Sequence, residues 1–188
     1  IYTDAVSVLA DSAGNNRAYG GEGDDRIRGG EGIDRLYGGE GDDVIYADGQ
    51  SGTAAGATPT WNLLDGGEGA DSLYGGAGED VIYGGGGDDV LGGEGGDDRL
   101  VGGKGADEFE YFMGGGADLI VDFKPGEDLL VLISDIGAPL PAADFAGIMG
   151  LTTDLGRDLL IDLGGGSSVT LARTDADDLS ASDFLILA

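Results

Sequence analysis

From Gly20 the chain sets one apolar residue at every ninth position and fills most of the interval with glycine and acidic residues. In nines, Gly20–Arg28 reads GGEGDDRIR, Gly29–Tyr37 GGEGIDRLY and Gly38–Tyr46 GGEGDDVIY. After an interruption come Gly66–Tyr74 (GGEGADSLY), Gly75–Tyr83 (GGAGEDVIY), Gly84–Gly92 (GGGGDDVLG), Gly93–Val101 (GEGGDDRLV) and Gly102–Glu110 (GGKGADEFE). Position eight is apolar in all eight units: Ile27, Leu36, Ile45, Leu73, Ile82, Leu91, Leu100 and Phe109. Position six is aspartate in all eight: Asp25, Asp34, Asp43, Asp71, Asp80, Asp89, Asp98 and Asp107. Positions seven to nine, rich in Val, Ile, Leu and Tyr, predict a short strand in each unit. Strand side chains alternate, so position eight faces inward while seven and nine face out. Glycines at positions one, two and four predict a tight turn with positive φ angles and carbonyls pointing inward.

Weaker copies flank this array. Asp11–Tyr19 keeps the phase but carries Asn16 and Ala18 at positions six and eight, while Met113–Val121 and Phe123–Val131 follow out of step. Terminal units of a stack usually depart from the pattern in this way. The interruption runs from Ala47 to Asp65; its first part is small and polar, and Trp61-Asn62-Leu63-Leu64-Asp65 restores the apolar position. It reads as a loop inserted ahead of one further repeat, with the solenoid continuing beneath; a disordered linker between two arrays is the competing reading. The organisation expected is an N-terminal cap with a degenerate repeat (1–19), an array (20–121) with a loop at about 47–61, and a C-terminal capping region (122–188). Within that region Asp158–Leu163 and Ser168–Ala172 read as strands of a hairpin across GGGS, and Asp175–Asp183 as a short helix or turn.

Charge changes the picture. Thirty-seven acidic residues stand against nine basic ones, a formal net charge of −28, and there are 41 glycines in 188 residues. Self-repulsion and glycine entropy both oppose folding unless cations neutralise the chain. A nucleic-acid partner is excluded by the sign of the charge. With no histidine and no cysteine, zinc ligation and histidine-dependent hydrolysis are excluded as well. No apolar run approaches the ~20 residues of a membrane-spanning helix. What recurs instead is a carboxylate beside turn carbonyls, a hard-oxygen set that suits calcium and its six to eight coordination positions better than magnesium. The repeat behind the inserted loop is expected to be metal-free. Catalysis is not expected, because the regular spacing of the carboxylates argues for metal rather than an acid/base pair.

The pattern resembles the RTX (repeats-in-toxin) calcium-binding nonapeptide family, whose motif is a known solenoid signature. The resemblance implies an all-β fold, a parallel β-roll of two facing sheets with a β-rich C-terminal cap and calcium between turns two repeats apart. It sets Asp25 opposite Asp43, Asp71 opposite Asp89, Asp80 opposite Asp98 and Asp89 opposite Asp107. It implies further oxygens from the carbonyls of Gly30, Gly32, Gly39, Gly41, Gly76, Gly78, Gly85 and Gly87. Asp34 faces the repeat holding Asn16, which weakens or empties its site, and Glu94 at position two disturbs the carbonyl geometry of its turn. The stretch GADLIVDFKPGEDLLVL resembles the segment closing arrays in serralysin-type exported proteins. There Asp118, Asp122 and Asp128 either hold a last ion or are plain surface carboxylates.

The ending Asp183-Phe184-Leu185-Ile186-Leu187-Ala188 resembles the uncleaved signal of type I secretion substrates, and reads equally as a final strand. These resemblances imply a secreted or surface-exposed bacterial module that folds on calcium after passing the type I secretion machinery; a calcium-dependent surface-layer or adhesin module is the alternative. Self-association and glycan contact stay open. Tyr37, Tyr46, Tyr74 and Tyr83 at position nine form either a stacked ladder or a sugar platform. Asp24, Asp42, Asp88 and Asp97 at position five are expected to be solvated, and Trp61 to anchor the inserted loop.

Overall fold

A computed structural model of the chain describes residues 7–9, 14–47, 61–134 and 141–187. Thirteen strands run through the repeats: β1 (Ser7–Leu9), β2 (Arg17–Glu22), β3 (Arg26–Arg28), β4 (Arg35–Glu40), β5 (Val44–Tyr46), β6 (Leu63–Glu68), β7 (Ser72–Ala77), β8 (Val81–Gly86), β9 (Val90–Gly95), β10 (Arg99–Lys104), β11 (Glu108–Phe112), β12 (Ala117–Ile120) and β13 (Leu129–Ile133). They alternate between two parallel sheets, odd-numbered strands in one and even-numbered in the other. The fold is a parallel β-roll.

Position eight builds the core. In the odd sheet Ile27, Ile45, Leu73, Leu91, Phe109 and Leu130 are in register, each against the next. In the even sheet Ala18, Leu36, Leu64, Ile82, Leu100 and Ile120 do the same. Every one of these side chains is buried, so each unit adds one apolar rung to either column. Most strands are longer than the three residues the pattern predicts, running on through positions one to three of the next unit. The extension is held by glycine-to-glycine register, Gly21, Gly39, Gly67, Gly85 and Gly103 lying side by side. Glycine therefore serves as strand as well as turn.

The stack runs across the interruption. Strand β6 pairs with both β4 and β8, and Asp43 meets Asp71 across a separation of 28 residues where other units show 18. Residues 48–60, most of the inserted loop, lie outside the described set, as do residues 1–6 and 10–13 of the N-terminal region. Trp61 itself carries the Arg35 guanidinium 5.1 Å above its ring.

The C-terminal region extends both sheets. Strands β15 (Asp158–Gly164) and β16 (Ser167–Ala172) form the antiparallel hairpin, with β14 (Thr152–Asp154) at its outer edge, and β16 adds in parallel to β12. Two 3₁₀ turns, Ala176–Asp178 and Ala181–Asp183, lead to β17 (Phe184–Leu187), which adds in parallel to β13. A short helix α1 (Phe145–Met149), which no periodicity marked, is capped by Asp144 accepting the Gly147 N–H at 2.8 Å; it buries Ile148 and sets Phe145 against Phe184, ring centroids 5.5 Å apart. No helix among the described residues is long and apolar enough to cross a membrane.

Candidate metal centres along the two edges of the roll

Because strands alternate between sheets, the turns fall on two edges, and each edge gathers every second position-six residue. Along the edge leading into the odd strands, each residue's N–H donates to Oδ1 of the aspartate two repeats on. Asp25 donates to Asp43 (2.8 Å), Asp43 to Asp71 (2.7 Å), Asp71 to Asp89 (2.9 Å), Asp89 to Asp107 (3.2 Å) and Asp107 to Asp128 (3.1 Å). Along the other edge Asn16 donates to Asp34 (2.7 Å), Asp34 to Asn62 (2.9 Å), Asn62 to Asp80 (2.6 Å), Asp80 to Asp98 (2.8 Å) and Asp98 to Asp118 (3.1 Å). The first row is aspartate throughout. The second is broken by Asn16 and Asn62, so Asp34 has an amide on either side.

The ladders use one carboxylate oxygen and leave the other. Oδ2 of Asp34, Asp43, Asp71, Asp89, Asp98 and Asp107 is buried with no hydrogen-bond donor, an arrangement that is costly unless a cation takes up the charge. The glycine at position one makes room beside it. A Cβ at Gly20, Gly66 or Gly84 would collide with the unit's own aspartate and lie 2.6–2.7 Å from the carbonyl oxygen of Gly38, Gly84 or Gly102. Left-handed φ angles occur at positions two and four, for example Gly30 (101°), Gly32 (125°), Gly76 (98°) and Gly78 (125°), but not at position one. Position one is glycine for space alone, and positions two and four for backbone conformation as well as for the close approach of the neighbouring turn. The carbonyl oxygens of Gly39, Gly41, Gly78, Gly85 and Gly87 lie where a Cβ on the matching glycine one turn further along the edge would collide with them, and that of Gly76 lies 3.8 Å from the position a Cβ on Gly95 would take. Glu94 adopts φ 70°, so its turn keeps the left-handed geometry without glycine.

Among the described residues no three acidic side chains converge on one point. An ion between turns would therefore draw on backbone carbonyls plus a carboxylate, the donor set calcium accepts. The orphaned oxygens and the glycine-lined spaces fit that group; its part is to supply the positive charge that buried Oδ2 atoms lack. The charge balance without it is visible in the acidities. Burial pushes Asp43, Asp71 and Asp89 up to about 6, against the lowering effect of the backbone N–H each accepts, with neighbouring carboxylates adding to the rise. Burial raises Asp98 and Asp118 to about 7.

Asp118, Asp122 and Asp128 do not share a site. Strand β12 carries the chain from one edge to the other between Asp118 and Asp122, so Asp118 closes one row, while Asp122 and Asp128 belong to the other. Asp122 accepts the N–H groups of Gly102 and Gly103, both at 3.0 Å. Position five is exposed and also structural: Asp24 accepts the N–H of Asp42, Asp42 that of Ala70, Asp88 that of Ala106 and Asp97 that of Ala117, at 2.8–3.0 Å. This second ladder runs opposite in direction to the first. The reading of position five as merely solvated missed it, and the repeat of Asp-Asp was the available signal. Asn62 was likewise missed, although its nine-residue phase with Asp71 places it at position six. The tyrosines split by sheet: Tyr46 stacks on Tyr74 at 5.1 Å, Tyr37 stacks on Tyr19 at 4.9 Å, and Tyr83 lies between Asp65 and Val101.

The RTX calcium-binding nonapeptide repeat matches in four copies, over residues 6–36, 19–54, 57–91 and 76–109. The chain belongs to the RTX family. No curated protein sequence matches it. The RTX roll is similar in structure to the AlgE6R3 subunit of the Azotobacter vinelandii mannuronan C5-epimerase, with TM-score 0.50 and 26% identity over 74% of this chain and 86% of that one. It is also similar to the extracellular lipase LipA from Serratia marcescens, with TM-score 0.43 and 21% identity over 92% of this chain and 40% of that one. The chain thus spans less than half the length of the lipase. It is a calcium-binding RTX repeat module.

Proposed function

We propose that this RTX module is the calcium-triggered folding and capping unit of a secreted bacterial protein. The observation that carries the reading is the row of buried, donorless Oδ2 atoms, which makes the ion-free roll electrostatically costly and ties folding to the cation. In calcium-poor cytosol the chain, at net charge −28, stays extended and passes a type I exporter; outside, calcium at ~10⁻⁴–10⁻³ M folds it. The module itself is non-catalytic in this reading, its carboxylates being committed to ladders and ions. The likeness to a subunit of an epimerase supports a role beside an enzymatic domain.

Far-UV circular dichroism during calcium titration of the dialysed chain tests this. The expected result is little β-structure without calcium and a cooperative gain at millimolar or lower concentration; fully formed β-structure in excess chelator overturns it. Sizing chromatography on the same samples separates the alternative, since calcium-dependent self-association would favour a surface-assembly module.

A further inference from the structure

The aspartate row on the odd-strand edge ends differently from the way it runs. Asp43, Asp71, Asp89 and Asp107 each keep a donorless Oδ2, whereas both oxygens of Asp128 are used. Its Oδ1 accepts from the Asp107 N–H at 3.1 Å and its Oδ2 from the Lys124 N–H at 2.8 Å. The Lys124 ammonium in turn donates to the carbonyls of Gly103 at 2.8 Å and Gly105 at 3.4 Å. These are positions two and four of the last full turn on this edge, the counterparts of Gly85 and Gly87 one turn earlier. Lys124 reaches them from the next turn along, and its outer side pairs with Glu127 at 3.7 Å. The ammonium thus sits on the carbonyls an ion would use. Its charge also counteracts the burial-driven rise at Asp107 and Asp128, whereas the charges acting on Asp43, Asp71 and Asp89 are all carboxylates.

We propose that the last cage on this edge, between the turns at 102–107 and 122–128, is a cation site that the chain fills with its own Lys124 ammonium. The row of calcium sites then ends one cage early, and the C-terminal end of the roll closes without metal. A lysine ammonium is a compact point charge with three donors and no acceptor, suited to stand in for an ion among carbonyl oxygens. Closure at that end gives the first ion to bind a preformed wall, since β13 and the strand added to it, β17, lie directly beyond the plug.

The inference rests on the calcium reading above. Its test counts ions bound per full-length chain by equilibrium dialysis, for wild type and Lys124→Met. The expected result is one additional calcium in Lys124→Met, with the vacated carbonyls taking an ion; an equal count in a folded variant overturns the plug. A wild type that binds no calcium would instead sink the functional reading itself. Where Lys124→Met does not fold at saturating calcium, amine acetylation of the wild type decides. The chain has two lysines, Lys104 and Lys124, and Lys104 is exposed. Lys124 is expected to acetylate several-fold more slowly in calcium, and equal rates overturn the proposal.

Discussion

Asp89, at position six, does two jobs with its two oxygens. Oδ1 accepts a backbone N–H across 18 residues of chain, and Oδ2 is left buried for a cation. Asp89→Asn keeps an acceptor for the Asp71 N–H but removes the charge. The calcium needed for half-folding is expected to rise about tenfold, equivalent to about 1.4 kcal/mol, measured as the midpoint of a circular-dichroism titration. Asp88→Asn, next to it in sequence, keeps its exposed bond to Ala106 and should leave that midpoint nearly unchanged. A similar shift for both would refute the division of labour between positions five and six. The aspartate at position six was plain in the text because its phase is strict. Its partition between ladder and ion was not, because which oxygen meets which N–H depends on a turn two repeats away.

A single repeat contributes a strand, a turn and one buried apolar side chain, and each of these acquires its partner only in the stack. The two edges, alike in the repeat pattern, are unequal once alternate units are sorted: one carries aspartate from Asp25 to Asp128, and the other is interrupted by Asn16 and Asn62. Asn62 is fully buried, and its Nδ2 has no acceptor. Asn62→Asp would place a carboxylate between Asp34 and Asp80. It is expected to add calcium-binding capacity on that edge, seen as a higher ion count or a lower calcium midpoint, and to weaken the ion-free chain; unchanged calcium binding would count against the edge as a row of ion sites. Strands, hairpin and final strand were legible from β-branched and aromatic runs. Helix α1 was not, being five residues long and held by contacts with Phe184 rather than by any local period.

At the scale of the whole molecule, charge decides when the roll can exist. Acidic groups whose pKa in the fold is raised from 3.8 to about 6 in Asp43, Asp71 and Asp89, and to about 7 in Asp98 and Asp118, chiefly by burial, hold protons more tightly folded than unfolded. Their contribution therefore favours the ion-free fold at acid pH and is lost as pH rises from about 4 through about 6 to 7. Calcium must displace those protons to bind. Between pH 7.5 and 5 the ion-free chain is expected to gain β-structure while the calcium midpoint climbs; a midpoint independent of pH over that range would contradict the burial of these carboxylates in the ion cages. Relief of self-repulsion at net charge −28 acts in the same direction. The sequence by itself determined the repeat, the inward column of apolar residues and the oxygen chemistry of the turns, because each is set within nine residues by sterics and alternation. Only the tertiary structure decided how units are sorted onto two edges, that a position-one glycine lies against the carbonyl of the matching glycine two repeats on, and that Lys124 meets the last carbonyls, because those contacts join residues about twenty positions apart that become neighbours when the chain has wound one full turn.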